Sequence, residues 1–164
     1  IRPITPISEY PVKVVYLNEI KYPIIRFNPA IKSMNYIGNM KAKKDAESLG
    51  AYEPVFYNSD GLITECAIRN VFYIKDGVLL TPSLNLGVLP GVMRSTVINI
   101  AIEMGMKVDE AQIPFETINN MDEAFISSTG IGLLPCYWDG WKSEFNITKQ
   151  LSLKLNLLIE KSCK

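Results

Sequence analysis

The sequence has no histidine, and its cysteines are few and far apart. Without histidine, the chain cannot form a Ser-His triad, a histidine-ligated metal site or a histidine acid–base pair. Any chemistry must therefore rest on Lys, Tyr, Cys, Asp or Glu, or on a cofactor. Cys66, Cys136 and Cys163 are odd in number and widely separated, which favours neither a disulfide framework nor a zinc site. We interpret them as reduced thiols.

The sequence also lacks an excess of charge and any long apolar run. The 17 basic residues are balanced by 17 acidic residues, which argues against nucleic-acid binding. The longest apolar runs are far shorter than the roughly 20 residues of a membrane-spanning helix, and the N-terminus shows no signal-peptide pattern. We therefore expect a cytoplasmic protein without a membrane partner.

The composition is that of one folded domain. With 164 residues, of which 48% are hydrophobic and 21% charged, the chain can bury one sizeable core, and we predict a single domain over 1–164. The chain does not begin with methionine, and prolines at positions 3 and 6 make residues 1–10 similar to a linker. We therefore expect a fragment of a longer protein.

Hydrophobic periodicity and turn residues predict many short strands and about three helices. The helices are predicted over 33–49, 92–104 and 148–159. The strands are predicted over 12–17, 22–27, 53–57, 62–65, 70–75, 78–81, 106–113 and 123–127. Because these elements do not alternate strictly, a mixed α/β (α+β) fold with a barrel-like mixed sheet is favoured over a doubly wound sheet.

The first predicted helix carries a stripe of mostly small residues. Such a stripe predicts that the helix lies close against another backbone, and its members are Met34, Gly38, Ala42, Ala46 and Leu49.

Lys32 is the first candidate for chemistry, because it stands between a predicted strand and this helix. A lysine that forms a Schiff base must be held rigidly, be partly desolvated and face a pocket. An isolated lysine at a helix start is more often an exposed surface charge. The neighbours Ile31, Met34, Asn35 and Tyr36 shift the balance toward a functional role.

Glu65 is the second candidate, a carboxylate at the end of an apolar predicted strand. Such a residue is more often a plain surface residue at a strand end. Its functional interpretation is a partner for a protonated pyridine nitrogen, which keeps the ring of an aldehyde cofactor an effective electron sink. A nearby cation, Arg26 or Arg69, would favour the ionised carboxylate by lowering its pKa.

Two further segments suit an anion. Leu89-Pro90-Gly91 opens the second predicted helix, so the N–H groups of Val92 and Met93 can meet a phosphate at the positive end of the helix dipole. The segment from Ser127 to Gly132 offers hydroxyl and backbone donors at a strand end, suitable for a phosphate or a carboxylate. Each segment alone is more often an ordinary turn.

The order and joint occurrence of these segments resemble the class IV aminotransferases, the fold-type IV pyridoxal phosphate enzymes. This family includes branched-chain aminotransferase, D-amino acid aminotransferase and 4-amino-4-deoxychorismate lyase. The resemblance extends over residues 22–140 and rests on Lys32-Ser-x-Asn35-Tyr36, Gly61-x-x-Thr-Glu65-x-x-x-x-Asn70-x-Phe72, Asp76-Gly77-Val78-Leu79, Thr81-Pro82, Leu89-Pro90-Gly91-x-x-Arg94 and Asp122-Glu123-x-Phe125-x-x-x-Thr129.

The resemblance implies the fold of the large C-terminal domain of enzymes similar to D-amino acid aminotransferase, with pyridoxal 5'-phosphate as the cofactor. It implies that Lys32 forms the internal aldimine and then moves a proton between Cα of the amino acid and C4′ of the cofactor. Tyr36 is similar to a tyrosine near the phenolic oxygen of the cofactor. Glu65 matches the partner of the pyridine nitrogen.

The resemblance also assigns the anion contacts. Val92 and Met93 match the backbone phosphate site, and Thr129 matches the hydroxyl that binds the phosphate. Gly130 and Ile131 match the turn whose amides meet the substrate carboxylate. Many members have Thr or Ser where this chain has Met93, so one side-chain contact to the phosphate is expected to be lost.

The implied activity is transamination between an amino acid and a 2-oxo acid, in a homodimer with sites at the interface. The lyase that releases 4-aminobenzoate is one alternative. A truncated domain without turnover is another, because family members carry an N-terminal domain that supplies an arginine to the phosphate. Cys66 and Arg69 replace small residues that are common beside the glutamate, and they are expected to narrow the pocket or to add an anion-binding cation.

Overall fold

The structure, a computed structural model, describes residues 11–162, so the predicted linker over 1–10 lies outside the described residues. The strands are β1 Val12–Asn18, β2 Glu53–Tyr57, β3 Ile63–Cys66, β4 Asn70–Lys75, β5 Val78–Pro82, β6 Val108–Ala111, β7 Glu123–Ser128 and β8 Gly132–Tyr137. The α-helices are α1 Ile37–Ser48, α2 Val92–Glu103 and α3 Asn146–Ser162, and short 3-10 helices cover Glu19–Lys21, Leu84–Leu86 and Phe115–Asn120. Within this range, no helix is both long and apolar enough to cross a lipid bilayer.

The strands form one mixed sheet in the order β3-β2-β1-β8-β7-β4-β5-β6. β1 runs parallel to β2 and β8, β5 runs parallel to β6, and the other neighbours are antiparallel. The two ends of this order are tied together, because Ile63 N–H donates to Ile113 O and Phe115 N–H donates to Gly61 O, each at 2.8 Å. The sheet therefore curls until its edges meet, which confirms the predicted barrel-like mixed sheet.

The two faces of the central strands serve two cores. In β4, Val71 and Tyr73 join the core on one face, whereas Phe72 and Ile74 join the core on the other. β7 follows the same alternation, with Phe125 on the second face. This period of two is what a strand buried on both faces requires. The second face is covered by α2 and α3 through Val97, Ile100, Ala101, Leu151 and Leu155.

The strand predicted over 22–27 is wrong. Tyr22, Ile24 and Arg26 are half-buried and alternate with exposed residues, as in a strand, but residues 22–27 belong to no strand of the sheet. Pro23 lacks the N–H that a ladder needs, and both sides of β1 are already occupied by β2 and β8. The periodicity is therefore that of an extended segment that packs against the domain through Tyr22 and Ile24 without pairing with a strand of the sheet.

α1 begins at Ile37, later than predicted, so the stretch from Lys32 to Tyr36 is an irregular segment and not the first turn of a helix. The Ser33 hydroxyl oxygen accepts the N–H of Asn35 at 3.2 Å, a local bond that competes with helix formation. The side chain of Met34 is 94% exposed and does not belong to the packed stripe.

The centre of the small-residue stripe of α1 does pack closely, as predicted. Ala42 and Ala46 are fully buried, and a Cβ placed on Gly38 would lie 2.6 Å from the carbonyl oxygen of Pro23. Only glycine therefore allows α1 to rest directly on the extended segment.

β8 is absent from the sequence prediction. Gly132 and Pro135 are poor strand formers, and the strand exists because β7 and β1 supply hydrogen bonds on its two sides. The packing of distant strands overrides local propensity here.

Candidate functional site

One cavity of about 440 Å³ brings together most of the residues singled out in the sequence. It lies between the segment 24–36, the start of α2 and the ends of β3, β4 and β7. Six of the eight candidates line it: Lys32, Tyr36, Glu65, Val92, Met93 and Thr129. Gly130 and Ile131 follow Thr129 in the chain but are not part of the lining, and the side chain of Ile131 packs against the core on the first face of the sheet.

Lys32 lines the cavity from the irregular segment and is exposed. Its Nζ donates to the hydroxyl oxygen of Tyr36 at 3.4 Å. The two side chains are four residues apart in sequence, and the turn that separates them places an amine beside a phenol at the mouth of the cavity. A primary amine in this position can react with an aldehyde that enters the cavity.

Glu65 lies deeper, where its side chain is 16% exposed. Oε1 accepts a hydrogen bond from Arg26 Nη1, and Oε2 accepts the N–H of Leu89 at 3.2 Å. Burial raises the pKa of the Glu65 carboxyl above its ordinary value and outweighs the opposing effect of Arg26 and of the Leu89 N–H, while Glu19 raises it further. Arg26 lowers the pKa of the Glu65 carboxyl, as predicted for a neighbouring cation, but burial has the larger effect, so the net shift is upward.

Arg26 is anchored by a second carboxylate. Its Nε and Nη2 donate to Glu19 Oε2 at 3.1 and 3.0 Å, and Nη2 also donates to Thr64 Oγ1 at 3.0 Å. Arg26 thus joins the 3-10 helix after β1 to β3 and holds the inner end of the extended segment against the sheet. The sequence identifies Arg26 only as one of two possible cations, and no signal in it points to Glu19.

Arg69, the other possible cation, does not reach Glu65. Its Nη1 donates to the fully buried carboxylate of Glu53, its Nη2 donates to the Tyr52 hydroxyl at 3.0 Å, and its guanidinium lies 4.8 Å from the centre of the Tyr52 ring. Lys43 Nζ approaches the same Glu53 carboxylate at 3.3 Å. Arg69 lines the cavity, but its charge is compensated by Glu53, so it does not supply the free anion-binding cation that the sequence suggested.

Cys66 is also part of the cavity wall and is 1% exposed. Burial raises the pKa of its thiol, with a further contribution from the Glu53 charge, so the group stays a neutral thiol at physiological pH. Cys66 and Cys136 are free and buried, as the interpretation of reduced thiols requires, and Cys163 lies outside the described residues.

The start of α2 forms the opposite wall. Gly91 is the N-cap residue, and the N–H of Ser95 donates to Gly91 O at 3.0 Å. The N–H groups of Val92 and Met93 therefore lie in the first turn, where no preceding carbonyl of the helix can accept them. The Asn70 side chain donates to Leu89 O at 3.1 Å and fixes the turn that precedes them. The arrangement presents backbone donors and a positive helix end to the cavity.

Two hydroxyl residues of the β7 end complete this wall. Thr129, the predicted phosphate ligand, is exposed at the cavity. Ser127, the first residue of the segment that the sequence predicts to suit an anion, is fully buried, and among residues 11–162 its Oγ has no hydrogen-bond partner. Ser127 stands two residues after Phe125 in β7 and so shares its face of the sheet.

Comparison with known proteins gives this arrangement a family. The profile described as amino-transferase class IV matches residues 1–137, which is most of the chain. The chain belongs to the class IV aminotransferases.

Similar proteins within and around this family differ in their stated activity. A Methanocaldococcus jannaschii protein assigned as a branched-chain-amino-acid aminotransferase is 31% identical over 131 residues, which are 80% of this chain and 46% of that protein. The D-alanine aminotransferase of Listeria monocytogenes is 39% identical over 105 residues, which are 64% of this chain and 36% of that protein. The chain spans less than half the length of both curated relatives.

A solved structure shows the same fold. A Legionella pneumophila protein assigned as a 4-amino-4-deoxychorismate lyase superposes with a TM-score of 0.82 at 26% identity, over 93% of this chain and 58% of that one. The predicted likeness to the fold-type IV enzymes is therefore confirmed for the fold.

Proposed function

We propose that the chain binds pyridoxal 5'-phosphate in this cavity and takes part in transamination between an amino acid and a 2-oxo acid, as part of a cytoplasmic enzyme. One observation carries the proposal: an amine, a buried carboxylate and a helix N-terminus line the same cavity. The cofactor supplies an aldehyde and an electron-withdrawing ring that stabilises a carbanion at the substrate Cα. The donor set fits it, because the orphaned Ser127 hydroxyl and the free N–H groups of α2 require an acceptor such as a phosphate.

Two side chains of the chain handle protons in this proposal. Lys32 Nζ would hold the aldehyde carbon of the cofactor until the amino group of the substrate displaces it, and the amine freed in this way would take the proton from the substrate Cα. Tyr36, which already accepts a hydrogen bond from Lys32 Nζ, orients that amine. Both lie at the cavity mouth, where an amino acid can reach them.

Glu65 faces the ring nitrogen in this proposal. Its carboxylate favours the protonated form of that nitrogen only while it is itself ionised. Since burial raises the pKa of Glu65, the contact with Arg26 is what keeps the ionised form accessible. Arg26 is therefore a positioning residue and not a group that touches the reacting atoms.

The anion contacts divide between cofactor and substrate. The N–H groups of Val92 and Met93 and the hydroxyl of Thr129 bind the phosphate, while the amides of Gly130 and Ile131 bind the substrate carboxylate. Gly130 and Ile131 directly follow Thr129, which lines the cavity.

We further propose that the working enzyme is a homodimer. Large apolar side chains are exposed in the segment that carries Lys32 and at the start of α1, among them Ile25, Ile31, Met34 and Ile37. Exposed apolar side chains concentrated in one region are typical of an interaction site. The mass in solution, measured by sedimentation, tests this part of the proposal, and a monomer at working concentration contradicts it.

The central test is visible absorption after incubation with pyridoxal 5'-phosphate and removal of the free compound. We expect a yellow protein, and we expect Lys32→Ala to abolish the bound absorption while Lys44→Ala, an exposed position of α1, retains it. A colourless wild type, or a Lys32→Ala variant as yellow as the wild type, would contradict the proposal.

The lyase is the second candidate, because the Legionella pneumophila protein with that assignment superposes over 93% of the chain. Aminodeoxychorismate offered without an amino acceptor distinguishes the two activities. A lyase releases pyruvate and 4-aminobenzoate under these conditions, whereas a transaminase does not turn over. Yellow protein with neither activity indicates a domain that binds cofactor without turnover.

A further inference from the structure

The Ser127 hydroxyl is a buried polar group that lacks a partner within the described residues. Ser127 is 0% exposed and lines the cavity. The Nε atoms of Arg69 and Arg94 are also unpartnered, but those guanidinium groups are engaged through their other nitrogens with Glu53 and Glu110. A hydroxyl has no second group to engage, so Ser127 needs an acceptor that the described chain does not provide.

The register of the sheet fixes where this hydroxyl lies. Ser127 of β7 stands directly opposite Asn70 of β4, and directly opposite residues share one face of a sheet. Asn70 donates to Leu89 O, and a Cβ placed on Gly91 would lie 2.4 Å from Asn70 Oδ1. Ser127 therefore shares the face of the sheet from which Asn70 contacts the turn that starts α2, and Ser127, Val92 and Met93 line the same cavity.

The start of α2 calls for an acceptor with negative charge. The N–H groups of Val92 and Met93 have no helical partner, and the positive end of the helix dipole lies at the same place. Met93 has no hydroxyl to contribute to an anion bound there. The buried Ser127 hydroxyl, which lines the same cavity, supplies the missing side-chain donor.

We propose that Ser127 is a phosphate-binding residue, whose hydroxyl donates to the anion held by the N–H groups of Val92 and Met93. This inference rests on the proposed function, since the phosphate of the cofactor is the anion concerned. It adds a residue from β7 to a site otherwise built from the α2 turn and Thr129. It also gives a partner to a buried polar side chain that has none among the described residues.

The test compares thermal unfolding of wild type and Ser127→Ala with and without inorganic phosphate. Without phosphate, we expect Ser127→Ala to be at least as stable as the wild type, because it removes an unsatisfied buried group. With phosphate, we expect the wild type to gain more stability, because a ligand of the folded state stabilises it by mass action. The dissociation constant for phosphate should rise about ten-fold in Ser127→Ala, as loss of a hydrogen bond to a charged group predicts.

Thr81→Val is the matched control. The Thr81 hydroxyl is buried but satisfied, since it donates to Val71 O at 3.0 Å, and it lies outside the cavity lining. We expect this variant to be less stable than the wild type without phosphate and to keep the wild-type response to phosphate. The general stabilisation of folded proteins by phosphate salts acts on all three proteins alike.

The proposal is overturned if phosphate raises the thermal stability of the wild type no more than that of Ser127→Ala over the whole concentration range. So does a loss of stability in Ser127→Ala without phosphate that matches that of Thr81→Val, because it would show a satisfied structural hydroxyl. A second measurement titrates pyridoxal 5'-phosphate against pyridoxal: only the phosphorylated compound should lose affinity in Ser127→Ala. None of the phosphate results depends on Lys32, so a failure of the proposed function, seen as unchanged colour in Lys32→Ala, remains distinguishable.

Discussion

The two walls of the cavity are built in different ways. The α2 wall rests on a core in which Phe72 and Phe125 stack at 4.9 Å between ring centres and are fully buried. The opposite wall, residues 22–36, belongs to no strand of the sheet and precedes α1. It exposes Ile25, Ile31 and Met34. It is held by the Arg26 ion pairs, by the contact of Gly38 with Pro23, and by Tyr22 and Ile24, which pack against the small buried cluster formed by Ala42, Phe56 and Ala67.

This difference predicts that the α2 wall is the more stable part of the site and that the wall formed by residues 22–36, the Lys32 wall, is the less stable part. Regions with few buried apolar contacts open at a lower free energy than the core of the same domain. The α2 wall should therefore stay ordered until the whole domain unfolds, whereas the Lys32 wall can rearrange without global unfolding. A substrate or a second subunit that covers the exposed apolar side chains would order the Lys32 wall most.

The largest expected effect tests the α2 wall. Phe125→Ala should lower the free energy of unfolding by about 3–5 kcal/mol, because it opens a cavity in the core shared by β4, β7 and α2. Chemical denaturation measures this loss, with Phe27→Ala in the segment 22–36 as the control; Phe27 is 37% exposed and its truncation should cost less than about 1 kcal/mol. Similar losses in both variants would abolish the distinction between the walls.

A smaller and more local effect is expected at Arg26. Arg26→Ala leaves the carboxylates of Glu19 and Glu65 close together with no cation between them, and their side chains are 14% and 16% exposed. Because breaking a largely buried ion pair is strongly destabilising, we expect a loss of about 2 kcal/mol. Arg26→Lys retains the charge but not the planar fork and should lie between Arg26→Ala and the wild type.

Hydrogen exchange locates the Arg26 effect. Faster exchange in Arg26→Ala should be confined to residues 22–36 and the start of α1, while amides of β4, β7 and α2 keep wild-type protection. Uniformly faster exchange would show that the segment unfolds only with the whole domain.

The sequence predicts the elements whose signals are local. α2 is predicted within one residue, because Pro90-Gly91 marks its start, Gly105 its end and an apolar stripe its inner face. The β4–β5 hairpin is predicted from Asp76-Gly77, and both residues adopt the positive φ values, 50° and 74°, that such a turn needs. Whether 132–137 and 22–27 form strands depends instead on which segments pair with the two sides of β1. This pairing joins distant parts of the chain, so no local sequence pattern predicts it.

The site follows the same division. Its candidates come from residue chemistry and family resemblance, and the structure brings six of them to one cavity. The choice between Arg26 and Arg69 as the partner of Glu65 could not be made from the sequence, because it depends on the course of an irregular segment. The sequence predicts an anion-binding segment that begins at Ser127, but it does not distinguish the Ser127 hydroxyl from the others, because that depends on the register that places Ser127 opposite Asn70.

The smallest expected effect is a change in the pH dependence of the unfolding free energy at Glu65. The two walls meet at this residue, because its carboxylate accepts hydrogen bonds from Arg26 on one side and from the Leu89 N–H on the other. Because burial raises its pKa, the folded chain binds this proton more tightly than the unfolded chain does. The stability that the protonated form contributes is then complete below the ordinary value of 4.5 and is lost as the pH rises through the raised pKa.

Glu65→Gln carries a permanently neutral group and should not show this decline. We expect wild type and variant to have similar unfolding free energies below about pH 4.5, and the variant to be relatively more stable at higher pH. Denaturation at a series of pH values measures the difference, with Glu116→Gln, an exposed position, as the control for the loss of one negative charge. A variant that becomes relatively less stable as the pH rises would mean that attraction to Arg26 outweighs burial. The Arg26–Glu65 ion pair would then stabilise the contact between the two walls, and residues 22–36 would resist local unfolding as strongly as the α2 wall does.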